Sequence, residues 1–427
     1  MPFTKDENQW RRLVEECFRR EAGSDVPIPD TAQNLIETGA LDSMAWVSFL
    51  RALETTSGLS ELGALLTERT PTLESIYLAL QEARVESPSV PDASDKTRTA
   101  TGSMVVLTSS CGVVGSRKIP SEEIDRAFGM PPGKLRLRAG IESLAYAAEG
   151  ENELTLAARA AQQALRAAAC GPQALDWIIA TSETHRGYPS LAAQLHSQLL
   201  ARESCGALDV GGACLGLLNA LAVAQGLIAS GRARTLVVLT SDVHSRIFRP
   251  GRVPGEFGGL FGDGASAFLL RARNGSTPQR AYALGEFFFG CAGQYAGAIR
   301  VADAADGRLD VHFDGEALSR AAITRLEKVI RDVELRSGFS RSSAQGLATH
   351  QPNPRLVNLL AKQLALAPDK FPGVAQAFGN LGSSTCGVAL DAILQSARHG
   401  RSGELGPIFL ASLGPGLLFG GGWLASL

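Results

Sequence analysis

The chain has 427 residues, of which 45% are hydrophobic and 20% charged, and its formal net charge is −2 at pH 7. This composition is typical of a globular protein with two or three domains, and the balanced charge argues against nucleic acid or an anionic membrane as the main partner. With no secretory leader at its start and no apolar run long enough to span a bilayer, we expect a cytoplasmic protein.

Residues 1–84 are predicted to form a small helical domain. Fourteen Asp and Glu against eight Lys and Arg give this segment a charge of −6, whereas residues 85–427 carry +4, a difference typical of separate units. Helical periodicity predicts a first amphipathic helix near residues 6–21, a second that opens at Ser43 and a third that follows Pro71.

The dipeptide Asp42-Ser43 resembles the Asp-Ser-Leu-like motif of acyl and peptidyl carrier domains. That resemblance implies a 4′-phosphopantetheine arm attached covalently to Ser43 and a phosphopantetheinyl transferase as a partner. Met44 stands where the motif usually has leucine. An Asp-Ser dipeptide is also common at a helix N-cap, so a purely structural role for Ser43 stays open.

Residues 85–102 are rich in Pro, Ser and Thr and lack apolar periodicity, which predicts a flexible linker. From residue 103 onward strands alternate with helices, which predicts mixed or parallel sheets covered by helices. The same order recurs in the second half, so we expect a duplicated, layered α/β/α/β/α fold with halves at residues 103–275 and 276–427. Predicted strands lie at residues 105–109, 177–182, 207–210, 235–241, 266–271, 346–349, 408–413 and 417–424, and predicted helices at 121–128, 154–169, 190–200, 214–229, 316–335, 354–364 and 384–397.

The seven cysteines are scattered and never occur in Cys-x-x-Cys spacing, so we expect free thiols and no metal site. Cys214 differs from the others because it follows a short apolar strand and the pair Gly211-Gly212, and opens an almost wholly apolar helix. Such a helix is expected to be buried, and the unpaired N–H groups and macrodipole at its start favour a thiolate. The pattern predicts a nucleophile with a lowered pKa, although a cysteine that merely packs in the core fits it equally well.

Two polar residues in the second half also follow predicted elements. His350 ends a strand and precedes Pro352 and Pro354, and Asn380 lies in a glycine-rich turn before a helix. An imidazole and a carboxamide that converge on a thiolate would supply donors for an enolate or oxyanion and a route for protons. Taken singly, each has an ordinary structural explanation, since histidines often end strands and asparagine fits turns.

The order Cys214, His350, Asn380 resembles, over about 325 residues, the catalytic triad of the thiolase-fold ketoacyl synthase III family. The resemblance implies a homodimer with a thiolase-like α/β fold, preceded here by the carrier-type helical bundle. Further matching segments are Tyr188-Pro189-Ser190-Leu191-Ala192-Ala193-Gln194-Leu195, Ser241-Asp242-Val243, Phe261-Gly262-Asp263-Gly264-Ala265 and Leu413-Gly414-Pro415-Gly416-Leu417.

The same resemblance implies decarboxylative Claisen condensation of an acyl group on Cys214 with a malonyl-type thioester, in fatty acid or polyketide biosynthesis. His350 and Asn380 would stabilise the enolate. An acyltransferase that passes the acyl group from Cys214 to an alcohol, amine or thiol is the alternative, and a non-catalytic partner subunit is the third interpretation.

The chain departs from the family pattern at two places. The tryptophan that stacks on the adenine of CoA in many members is missing before Arg138, which puts recognition of CoA in doubt. The acyl donor could be CoA or a carrier, including a separate acyl carrier protein. Arg138 and Arg246 remain candidates for phosphate contacts. Pro415 interrupts the glycine run and cannot donate an N–H, which leaves Gly414 and Gly416 as candidates for the oxyanion hole.

Overall fold

The computed structural model describes residues 7–23, 26–57, 62, 66, 70–82, 103–273, 281–399 and 405–427. The chain divides into two compact units, one with residues 1–98 and 314–324 and the other with residues 99–313 and 325–427. The predicted linker at residues 85–102 lies outside the described residues.

Three helices of the first unit follow the predicted order: α1 (Glu7–Ala22), α2 (Ser43–Ser57) and α3 (Leu73–Glu82). Each has one apolar face, and these faces form a common core in which the rings of Phe18 and Phe49 meet edge to face with centroids 6.0 Å apart. The core includes Val14, Phe18, Trp46, Phe49, Leu53, Leu73, Ile76 and Leu80.

The second unit alternates strands and helices as predicted. Its strands are β1 (Val105–Val114), β2 (Arg117–Pro120), β3 (Ser143–Tyr146), β4 (Trp177–Thr181), β5 (Gly206–Asp209), β6 (Thr235–Val243), β7 (Asp263–Ala272), β8 (Tyr282–Leu284), β9 (Phe288–Cys291), β10 (Ile299–Asp303), β11 (Leu309–Phe313), β12 (Gly346–Thr349), β13 (Ile408–Gly414) and β14 (Leu418–Ser426). Its helices are α4 (Ser121–Ala127), α5 (Glu153–Ala167), α6 (Leu191–Leu199), α7 (Gly216–Ala229), α8 (Gly255–Gly258), α10 (Pro354–Gln363), α11 (Val374–Phe378) and α12 (Ser384–His399), while α9 (Gly315–Ser337) belongs to both units.

A mixed sheet runs through the second unit in the order β12-β13-β14-β8-β1-β7-β6-β4-β5, with β9 paired to β14. Strand β4 is parallel to its neighbours β5 and β6, and β12 is parallel to β13. The short strand β8 pairs with both β1 and β14, so it joins the two halves of the unit. The carboxyl ends of β5, β4 and β6 therefore meet at one edge.

Helices cover both faces of this sheet. Helices α7 and α12 contribute to one large core, which includes Leu217, Leu221, Cys386 and Leu390, while α5 and α6 contribute to another. The many alanines of α5 allow a close approach to the strands, and Ala157, Ala160, Ala161 and Ala164 have no exposed surface. None of the described helices is long and apolar enough to cross a membrane.

The structure corrects several predicted elements. Strand β7 begins at Asp263 instead of residue 266, because polar and glycine residues at its start hide the apolar pattern. Helix α7 begins at Gly216, since residues 213–215 form a separate 3₁₀ turn. The strands β2, β3 and β8–β11, each of three to five residues, were not predicted.

Candidate active site

Cys214 lies in the 3₁₀ turn Ala213–Leu215 between β5 and α7. The preceding Gly212 has φ +132°, and a Cβ there would lie 2.3 Å from Nδ2 of Asn219, so the turn requires glycine. A Cβ on Gly216 would lie 2.2 Å from Oγ1 of Thr181, so the start of α7 packs against the end of β4. The predicted placement of Cys214 at the start of a buried helix is therefore correct to within two residues.

His350 directly follows β12, and the next loops hold it in place. The side chain of Gln351 accepts a hydrogen bond from the backbone N–H of Ala375 and donates one to the carbonyl oxygen of Pro372. His350 is 8% exposed, and its Nδ1 makes no hydrogen bond within the described part of the chain. Its ring interacts with the backbone of Gly382, which lies in the same loop as Asn380.

Asn380 lies in the loop between α11 and α12. Its backbone N–H donates to the carbonyl of Leu260 and its carbonyl accepts from the N–H of Gly262, at 2.8 and 2.9 Å. Oδ1 of Asn380 accepts the N–H of Gly382 at 2.9 Å and the hydroxyl of Thr385 at 3.3 Å. These contacts orient the carboxamide and use its oxygen, which leaves the Nδ2 amide as the group available to a substrate oxygen.

Asp242, at the end of β6, connects the loops of the two halves. Its Oδ1 accepts the N–H of Glu183 at 2.6 Å, and its Oδ2 accepts the hydroxyl of Ser383 at 2.5 Å and the N–H of Ser384 at 3.2 Å. Burial and the charge of Glu183 raise the pKa of Asp242 to about 6. The loop after β4 is thereby fixed to the loop that carries Asn380.

The expected low pKa of Cys214 is wrong for the free enzyme. Burial and the negative charge of Glu183 raise the pKa of the Cys214 thiol well above its usual value, and the charge of Asp242 adds to the rise. Helix N–H groups and the macrodipole favour a thiolate by only a small free energy, which desolvation and two nearby carboxylates exceed. Although the residue keeps some exposure, its thiol is surrounded by protein and protonated.

The two histidines of the site have opposite charge states. Burial lowers the pKa of His350 to about 4, so its imidazole is neutral. Burial also opposes charge on His244, but its interaction with Glu183 and the charge of Asp242 raise its pKa to about 9. Burial opposes ionisation of Glu183 as well, yet His244 holds the pKa of that carboxyl below its usual range.

Comparisons of the chain with known proteins point to one family. Residues 208–286 match the family model for 3-oxoacyl-[acyl-carrier-protein (ACP)] synthase III, and residues 336–425 match the model for its C-terminal part. The beta-ketoacyl-[acyl-carrier-protein] synthase III of Neisseria meningitidis serogroup A is 31% identical over 315 residues, which cover 71% of this chain and 94% of that protein. The chain belongs to the ketoacyl synthase III family.

Solved structures show the same fold. The 3-oxoacyl-[acyl-carrier-protein] synthase III of Aquifex aeolicus VF5 has a TM-score of 0.66 and 24% identity, over 75% of this chain and 99% of that chain. The priming beta-ketosynthase of the R1128 polyketide pathway also has a TM-score of 0.66, with 21% identity over 80% of this chain and 99% of that chain. The second unit therefore has the thiolase-like α/β fold that the sequence predicted.

In this ketosynthase III chain, the predicted glycines Gly414 and Gly416 pack near other parts of the chain, whereas the predicted arginines are exposed. A Cβ on Gly414 would lie 2.9 Å from the carbonyl oxygen of Gly212, so Gly414 packs against the turn that carries Cys214. Gly416 has φ +77°, and its carbonyl faces the thiol of Cys291. Arg138 and Arg246 are exposed, and the guanidinium of Arg246 donates to backbone carbonyls, including that of Glu151.

Ser43 is the first residue of α2, as the sequence predicted, but it is not the N-cap. Oδ1 of Asp42 accepts the N–H of Ala45 at 2.8 Å, and the carbonyl of Asp42 accepts the N–H of Trp46 at 2.8 Å. Asp42 is therefore the residue that caps α2.

Sequence reasoning missed Glu183 and His244 as site residues. Glu183 follows β4 and His244 follows β6, and these parallel strands are neighbours in the sheet beside β5, which leads to Cys214. Polar residues after adjacent parallel strands meet at one edge of a sheet, which is where α/β proteins bind ligands. The same rule that selected His350 would have selected this pair.

Proposed function

We propose that the chain is a condensing enzyme that joins an acyl group on Cys214 to a malonyl-type thioester with loss of carbon dioxide. The observation that carries this proposal is the charge state of His350 together with the hydrogen bonding of Asn380. A neutral imidazole at His350 and an Asn380 carboxamide whose oxygen is already bonded both offer N–H groups. Two neutral donors suit a thioester oxygen that becomes an enolate.

The reaction has two stages. Sγ of Cys214 first forms a bond to the acyl carbon and the donor thiol leaves. The malonyl thioester then loses carbon dioxide, and its C–C bond electrons form an enolate held by His350 and Asn380. The enolate carbon attacks the Cys214 thioester, a C–C bond forms, and the Cys214 thiolate is released and reprotonated.

The test separates the two stages. Enzyme first loaded with an acyl group should release one carbon dioxide per Cys214 when malonyl carrier is added, and Cys214→Ala should form no adduct. His350→Ala and Asn380→Ala should still load, but their release of carbon dioxide should fall by roughly 10²–10⁴. Transfer of the acyl group to an added alcohol or amine, without carbon dioxide release, would instead support the acyltransferase alternative.

We also propose that the first unit is a carrier domain with 4′-phosphopantetheine on Ser43, added by a phosphopantetheinyl transferase. Support comes from α2, which begins at Ser43 and is capped by the preceding Asp42, so the serine stands at the start of a helix as the carrier motif requires. The arm would provide a mobile thiol for acyl or malonyl groups. A tethered thioester reaches an effective concentration near the millimolar range, which reduces the need to bind CoA or a separate carrier protein.

Family membership further supports a homodimer through the second unit. Light scattering at micromolar concentration should give twice the mass of one chain. A single-chain mass over the same range would contradict this proposal.

A further inference from the structure

Glu183 takes no part in the condensation described above, yet its carboxylate belongs to the site of Cys214. Its backbone N–H is fixed by Asp242, and its side chain is 17% exposed. Oε2 lies 3.5 Å from Nε2 of His244. Oε1 is buried and makes no hydrogen bond to any described residue. A buried carboxylate oxygen without a partner is costly and usually has a functional explanation.

His244 is held so that it can only face this carboxylate. Its Nδ1 lies 3.1 Å from the carbonyl oxygen of Gly262, and its ring packs on Phe248 and Phe261 with centroid distances of 5.5 and 4.8 Å. A Cβ on Gly382 would lie 2.4 Å from Cε1 of His244 and 3.1 Å from Cδ of Glu183. The loop of Asn380 therefore closes directly over the pair.

Cys214 and Glu183 follow the adjacent parallel strands β5 and β4, and after burial the negative charge of Glu183 is the largest cause that raises the pKa of the Cys214 thiol. Because this thiol is protonated at neutral pH, attack on a thioester requires a group that removes its proton. His350 is a poor acceptor, since burial lowers its pKa to about 4. Asp242 already accepts several hydrogen bonds, which leaves Oε1 of Glu183 as the unused acceptor.

We propose that Glu183 is the general base for acyl loading and that His244 is the residue that positions it, an inference that rests on the proposed use of Cys214 as nucleophile. As the Sγ–carbon bond forms, the thiol proton passes to Oε1 of Glu183. When the donor carbon–sulfur bond breaks, the departing sulfur takes that proton and leaves as a thiol. Glu183 returns to its carboxylate, so protons and electrons balance.

Glu183→Gln should change two reactions of Cys214 in opposite directions. Loading from butanoyl-pantetheine, measured by mass spectrometry, should slow by roughly 10²–10⁴, the usual contribution of a general base. The midpoint of the pH profile for alkylation by iodoacetamide should move to lower pH, because a charge that raises the thiol pKa is removed. Glu256→Gln, at a 64% exposed side chain that pairs with Lys134, is the matched control and should change neither reaction.

Other outcomes would overturn the proposal. Loading by Glu183→Gln at or above the wild-type rate would show that no base is needed at this position. Slower loading with an unchanged alkylation midpoint, in a variant with wild-type circular dichroism, would show only a structural role. These measurements use loading alone, so they are independent of whether carbon dioxide is later released.

His244→Gln tests the positioning role and remains informative if Glu183→Gln does not fold. The groups that face Glu183 are His244, Cys214, His350 and Asp242, and loss of the His244 charge should raise the pKa of Glu183. The acidic limb of the loading pH profile should therefore move to higher pH. A profile equal to that of the wild type would contradict the positioning role.

Discussion

His350 shows how strongly burial acts on a single side chain. Its folded pKa of about 4 lies below the ordinary value of 6.5, so the ring gains a proton only when the pH falls to about 4. A neutral ring donates one N–H to a substrate oxygen without carrying a charge that would hold the carboxylate of the malonyl group. The charge state therefore matches the proposed stage of the reaction.

Condensation by enzyme already loaded on Cys214 should consequently show no acidic limb near pH 6.5. Single-turnover release of carbon dioxide from malonyl carrier, measured between pH 8 and 5, tests this. Because loading is complete beforehand, Glu183 does not enter the profile. A twofold loss centred near pH 6.5 in the wild type and equally in Asp242→Asn, which lacks the nearby carboxyl with a pKa of about 6, would show that His350 titrates as an exposed histidine and would contradict the assigned charge state.

Gly382 has φ +59° and fits between the Asn380 loop and the Glu183–His244 pair only because it lacks a Cβ. Gly382→Ala should lower the free energy of unfolding by about 2–4 kcal/mol, through the left-handed backbone and the overpacking together, and should slow acyl loading. Gly150→Ala is the control, since Gly150 has φ +82° with nothing within 4 Å of a Cβ. Urea denaturation of both variants separates the backbone strain from the overpacking. Equal losses of unfolding free energy in the two variants would show that crowding of Glu183 and His244 contributes nothing.

At the scale of elements, the site depends on where strands end. Strands β5, β4 and β6 are neighbours, and Cys214, Glu183 and Asp242 lie at or just after their carboxyl ends. The second half adds His350 after β12 and the loop that precedes α12. Asp242 is the side chain that joins the two sets, through hydrogen bonds to Glu183 on one side and to Ser383 and Ser384 on the other.

Asp242→Asn should therefore loosen the connection between the halves. An amide presents an N–H to donors that now bind a carboxylate oxygen, so at least one buried donor loses its partner, at a cost of about 1–3 kcal/mol. Urea denaturation should show that loss, and both loading and condensation should slow because Glu183 and Asn380 lose a common anchor. Wild-type stability would show that the connection through Asp242 is not needed.

In the molecule as a whole, the first unit and the ketosynthase unit are each compact, and a phosphopantetheine arm on Ser43 would link their chemistry. The side chain of Asp42 caps the N-terminus of α2. The two family models match residues 208–286 and 336–425, which lie in the second unit. Two measurements on the intact chain test the carrier role: the mass added by modification and the rate of turnover.

Co-expression with a broad-specificity phosphopantetheinyl transferase should raise the intact mass by one phosphopantetheine group on Ser43. Ser43→Ala should abolish the increase and lower turnover of the intact chain, while Cys214 still loads from butanoyl-pantetheine. Ser48→Ala, in the same helix, is the matched control and should keep the modification. An unchanged mass of the correctly folded wild-type chain would contradict the carrier role.

Local patterns in the sequence were enough to locate the elements that carry the proposed triad. A glycine pair before an apolar helix, a strand end before prolines and a glycine-rich turn are local patterns that made Cys214, His350 and Asn380 candidates. Their order along the chain, which resembles that of the family, joined them into a proposed triad. Helical periodicity likewise identified α1–α3, because an apolar face recurs every three to four residues.

The charge states of the site and the pairing of Glu183 with His244 depend on contacts that form only in the folded chain. Glu183 and His244 are sixty-one positions apart, and they meet because β4 and β6 are adjacent and parallel. A pKa depends on desolvation and on charges from every element that packs around the group, so the raised pKa of Cys214 could not be read from its place before α7. Local pattern made Cys214 the candidate nucleophile, and the neighbours supplied by the fold decide whether its thiol carries a proton.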